Sequence, residues 1–87
     1  MQTSATEAPL ETRVLVERIR GVAQLESLRP RYKLLGKGET EETVHGIVKR
    51  LYAVAEALAR VPDPVKEPKI ERDPVTSYLQ LAEAYGV

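Results

Sequence analysis

His45 is the only imidazole in the chain, and it stands before Gly46, beside a run of apolar residues. One imidazole can serve as a general base or as one metal ligand, but either role needs partners. A Ser-His-Asp arrangement would draw its hydroxyl from Ser4, Ser27 or Ser77, and none of these lies in a G-x-S-x-G elbow. Glu41 and Glu42 are adjacent carboxylates at an expected helix start, where water solvates them. Gly36-Lys37-Gly38 resembles a phosphate loop only superficially. The Walker pattern needs G-x-x-x-x-G-K-[ST] after a strand, and here Glu39, Glu41 and Glu42 come next and would repel a phosphate. Cys is absent, which excludes disulfides and thiolate zinc sites. The expectation is a chain with no catalytic residue, no metal and no cofactor of its own.

What must position these residues is small. The chain has 87 residues, 43% hydrophobic and 30% charged, with 13 basic and 13 acidic side chains and no net charge. That is globular usage, not the composition of a disordered chain. A chain of this size buries only roughly 60–65% of its unfolded surface. Trp and Phe are absent and only Tyr32, Tyr52, Tyr78 and Tyr85 supply rings. Core energetics rest heavily on bulky side chains, so a marginal monomer is expected, or a chain that completes its core against a partner.

Periodicity sets out the elements. Residues 1–9 are polar and small and read as a flexible N-terminus. From Leu10 to about Arg29, Leu15, Ile19, Val22 and Ala23 recur at helical spacing, with Val14, Leu25 and Leu28 beside them. Gly21 sits inside this run and suggests close packing against another helix. Pro30 is expected to end the run, because a residue before proline is pushed out of the α region. Residues 30–38 read as a connection punctuated by Gly36 and Gly38. Val44, Ile47, Val48, Leu51, Ala55 and Leu58 then keep 3-4 spacing, an amphipathic helix reaching Val61 with Glu39, Glu41 and Glu42 in its first turn.

Pro62, Pro64 and Pro68 prevent regular structure beyond Val61, so residues 62–73 read as an extended strap. Asp73-Pro74 restarts a short helix over 74–87, with Asp as N-cap and Pro at the first position. Gly86 suits its stop. The expected fold is all-α: a two-helix antiparallel hairpin over 10–61, a proline-rich extended strap, and a short C-terminal helix.

Charge is uneven along the chain. Residues 10–38 carry a net +4 and residues 62–87 a net −2. Arg29, Arg31, Lys33 and Lys37, with Tyr32 among them, are the candidate contacts to nucleic-acid phosphates. A neutral chain lacks the electrostatic footprint of most dedicated nucleic-acid binders. No apolar run has transmembrane length, and the first residues do not read as a secretory signal. A cytoplasmic protein without membrane contact is expected.

The order of elements resembles the GatC family, the small non-catalytic subunit of aspartyl/glutamyl-tRNA amidotransferases. Val16-Glu17-Arg18-Ile19 followed by Val22-Ala23-Gln24-Leu25-Glu26 is similar to that family's opening helix, which reads roughly V-E-x-I-A-x-L-A-x-L-E. Val65-Lys66-Glu67-Pro68 is similar to its V-E-P turn. Asp73, Val75, Leu79 and Ala84 match its R-x-D-x-V-x-x-x-L segment, with Arg72 displaced by one position. The resemblance implies an accessory subunit that wraps and stabilises a larger amidase subunit, the catalytic Ser and Lys residues being the amidase's. The candidates for the hairpin seam and for partner contact are Ile19, Val22, Val44, Ile47, Val48, Leu51, Ala55 and Leu58 on the helices, with Arg72, Asp73, Val75 and Leu79 as partner contacts at the tail. Two other readings stand beside it. One is a self-assembling helical-hairpin protein of a virion or scaffold. The other is a small nucleic-acid-binding adaptor.

Overall fold

In the computed structural model, residues 8–32, 35–70 and 73–87 are described. They form three helices, and no strand occurs among them: α1 (Leu10–Tyr32), α2 (Glu41–Leu58) and α3 (Pro74–Ala84). The two long helices precede the short one, as the apolar periodicity implies. No helix among the described residues is long and apolar enough to cross a membrane.

The core is one cluster. Leu15, Val16, Ile19 and Ala23 of α1 meet Val44, Val48, Leu51, Val54, Ala55 and Leu58 of α2. Val65 joins from the connection after α2, and Tyr78 and Ala82 from α3. The residues recur every three or four positions, so each helix lays one stripe on the next. Burying a Leu or Ile side chain fully stabilises by about 1.5–3 kcal/mol relative to exposure. Leu15, Ile19, Leu51 and Leu58 are the largest apolar groups so buried, and they hold the two long helices together.

Several boundaries differ from expectation. α1 does not end at Pro30 but runs to Tyr32. In a last turn the missing proline N–H removes a single bond, and Arg29 before it is held on the helix by ion pairs to Glu26 and Glu39. Glu39 lies outside α2, not in its first turn. Thr40 is the N-cap, and its Oγ1 accepts the Thr43 N–H at 3.1 Å. A Gly36–Glu39 turn precedes it, closed by the Glu39 N–H on the Gly36 carbonyl at 2.9 Å. Gly38 takes φ +83° in that turn, where a side chain would be strained. α2 ends at Leu58, and two i→i+3 bonds carry the chain on to Val61.

Residues 61–70 form neither helix nor strand. Asp73 caps α3 as expected: Oδ1 accepts the Thr76 N–H and Oδ2 the Thr76 hydroxyl, both at 2.9 Å. At the far end Gly86 has φ +70°. There the Val87 N–H bonds the Ala82 carbonyl at 2.8 Å and the Gly86 N–H bonds the Glu83 carbonyl at 3.2 Å. This pair of bonds is the Schellman stop that a C-terminal glycine permits. Ala8, expected in a flexible N-terminus, is buried. Residues 1–7 lie outside the described residues. Gly21 does not mark close packing: it is exposed, and a Cβ built there meets nothing within 4 Å.

Candidate functional site

Three helices leave a groove of about 470 Å³ between the C-terminal half of α1, the middle of α2 and the start of α3. Its apolar lining is Val22 and Leu25 of α1, Ile47 of α2, and Pro74 and Val75 of α3. Val22, Ile47 and Val75 are half-buried, and Leu25 is 68% exposed. Glu26, Arg29, Glu39 and Asp73 form the rest of the wall.

The charged wall is built by one guanidinium. Arg29 Nη1 donates to Glu39 Oε1 at 2.9 Å and Nη2 to Glu39 Oε2 at 2.7 Å, a bidentate pair. Arg29 Nε lies 2.9 Å from Glu26 Oε2. Its N–H is not aimed along that line, and it is buried without an aligned acceptor. The Gly36 N–H donates to Glu39 Oε1 at 2.6 Å. The hydrogen bond from Arg29, then that from Gly36, holds the Glu39 carboxyl below its ordinary range. The side chains of Glu26, Arg29 and Glu39 are only 20–27% exposed, so water screens these charges less than on open surface. The N–H and hydroxyl of Thr76 likewise hold Asp73 below its ordinary range.

The candidates for seam and partner contact differ in burial. Ile19, Val44, Val48, Leu51, Ala55 and Leu58 are buried in the core, where α1 and α2 meet. Val22, Ile47, Asp73 and Val75 come together in the groove. Leu79 is half-buried against the core. Arg72 lies outside the described residues.

Of the basic candidates, Arg29 and Arg31 line different hollows. Arg29 lines the groove, whereas Arg31, about 200° further round the helix, lines a second hollow with Ser27, His45, Glu41 and Glu42. Lys37 is exposed in the turn, and Lys33 lies outside the described residues. The second hollow, of about 420 Å³, gathers the chemistry-bearing residues that lie far apart in sequence. The Ser27 hydroxyl, however, donates to the Gln24 carbonyl at 2.6 Å, so its proton serves the helix backbone rather than an imidazole. No group of three or more His, Asp or Glu side chains placed to hold a metal ion occurs among the described residues.

Sequence reading missed Thr12 and misplaced Glu39. Thr12 is fully buried, and its Oγ1 accepts the Val65 N–H at 3.0 Å. Beside it, Arg18 Nη1 reaches both carboxylate oxygens of Glu67, at 2.6 and 2.7 Å. Tyr78 packs nearby, and burial pushes its phenol up. A hydroxyl at a core-facing helical position, Thr12 three residues before Leu15, was the available signal.

α1 also carries apolar residues outward. Leu10, Val14, Leu25 and Leu28 are 66%, 45%, 68% and 38% exposed. At about 100° per residue they fall with Gly21 within about 60° of arc, opposite the residues that face α2. α1 is therefore apolar on two opposite faces. No family model matches the chain, and no curated protein or solved structure matches it either.

Proposed function

We propose that this chain is a non-catalytic accessory subunit that docks on a larger protein through the groove of Val22, Leu25, Ile47 and Val75. The observation that carries the reading is the convergence in that one groove of residues from all three helices. The outward stripe on α1 widens the docking face, since exposed apolar patches of this kind mark protein-protein contacts. A stable interface needs about 800 Å² from each partner, more than one helix face offers, and a partner spanning groove and stripe supplies it.

In this reading α1 and α2 form an antiparallel hairpin, and residues 62–70 are an extended strap drawn across it; residues 71 and 72 of the expected strap lie outside the described residues. Contacts at both ends support that arrangement: Arg29 with Glu39 at one end, and Thr12 with Val65 and Arg18 with Glu67 at the other. The GatC-like segments name the partner class, an amidase acting in a tRNA-dependent amidotransferase in the cytoplasm.

The test is purification of the tagged chain from its native cells under mild conditions, beside Leu25→Asp. Leu25 is exposed, so the variant keeps the core. An amidase-sized protein retained by the native chain and lost from the variant supports the reading. A large homogeneous assembly of the chain alone, or a partner that ignores the substitution, refutes it.

A further inference from the structure

We infer that the partner segment seated in this groove is basic and amphipathic: an apolar side chain flanked by Lys or Arg. The inference rests on the docking reading above and adds the chemistry of the occupant. Three carboxylates, Glu26, Glu39 and Asp73, line the groove against one guanidinium, Arg29. Among the described residues the lining carries a charge of −2, in a protein whose total is zero. Glu26 and Glu39 share Arg29, which among the described residues leaves one negative charge in excess on side chains only 20–27% exposed. Asp73 adds the second. Its hydrogen bonds from Thr76 satisfy lone pairs but cancel no charge.

A surface closing over the groove removes the water that solvates this excess. A neutral partner would leave carboxylates buried without a counter-charge, which is costly. An acidic partner would add like-charge repulsion, and a device of that kind excludes wrong partners. A Lys or Arg beside the apolar anchor supplies the missing charge while the anchor meets Val22, Ile47 and Val75. The attraction also steers encounter, so binding falls with salt.

The experiment titrates the isotope-labelled full chain with two synthetic peptides of equal length and identical leucine pattern. One carries Lys beside the leucines and the other Glu. The Lys peptide is expected to shift the Val22, Ile47 and Val75 resonances and to bind at least about tenfold more tightly at low salt, with the difference shrinking as salt shortens the Debye length. Glu26→Gln with Asp73→Asn brings the local charge to zero. It leaves Arg29 paired with Glu39, and Asn still caps α3. With an unchanged circular dichroism spectrum, this variant is expected to lose the preference. Equal binding of both peptides, shifts away from the groove, no binding of the Lys peptide, or a preference that survives the double variant overturns the inference. The docking reading is separately decided by Leu25→Asp. If that variant releases the co-purified partner and the charge-neutral variant binds it with unchanged salt dependence, docking stands and the charge argument falls.

Discussion

Thr12→Val replaces a fully buried hydroxyl with a methyl of nearly the same shape. What it removes is the acceptor 3.0 Å from the Val65 N–H, in a contact closed to water. The Val65 amide then has no partner from Thr12. A buried donor left unsatisfied costs about 1–3 kcal/mol. Against the roughly 4–13 kcal/mol expected for a domain of 87 residues, this is a large fraction. It corresponds to a fall in melting temperature of roughly 4–8 °C per kcal/mol. The assay is urea denaturation paired with hydrogen exchange at the Val65 amide. Thr12→Ser is the control: it keeps the oxygen and loses a buried methyl, worth about 0.8 kcal/mol. Both variants lose global stability, but only Thr12→Val should speed exchange at Val65 beyond its global effect. If Thr12→Val changes stability by less than about 0.3 kcal/mol and Val65 exchange is unaltered, the latch between α1 and the 61–70 connection is refuted.

Gly21→Ala should stabilise the chain by about 0.5–1 kcal/mol, because a helix-interior glycine carries that penalty and an added methyl meets nothing within 4 Å; thermal denaturation checks it. Gly86→Ala should have the opposite effect, costing about 1–2 kcal/mol at φ +70° and loosening the Val87–Ala82 bond, read by exchange at Val87. Asp73→Ala should cost about 1 kcal/mol through loss of the α3 cap, measured in urea. Asp73 and Glu39 both have folded-state pKa values below their ordinary 3.8 and 4.5, so their contributions are full above those values and vanish as pH falls through the depressed ones. Acid titration followed by circular dichroism should show stability falling below about pH 4.5, with a smaller fall in Glu39→Gln.

The presence and order of the helices were legible because helix formation is local. The 3-4 spacing from Val44 to Leu58 specifies a buried stripe whatever it packs against. The Asp73 cap and the Gly86 stop were legible for the same reason, since each acts on backbone within three to five residues. Locality also explains the failure at Pro30. The expectation weighed the proline against its neighbour's backbone alone, and the guanidinium that holds Arg29 in place reaches Glu39, ten residues on.

The sequence by itself determined three helices, the cap and stop of α3, and which stripe of α2 is apolar. Only the tertiary structure decided which apolar residues became seam and which stayed at the surface. Ile19 and Leu25 are both apolar residues of one helical run, yet Ile19 is fully buried and Leu25 is 68% exposed. Periodicity shows that α1 has two apolar faces, but the path of the chain selects the one that meets α2. That path also brought Thr12 to Val65, 53 residues away, and gathered Glu26, Arg29, Glu39 and Asp73 around one groove. Contacts at such separation depend on how packed helices are placed in space, and no local spacing encodes that placement.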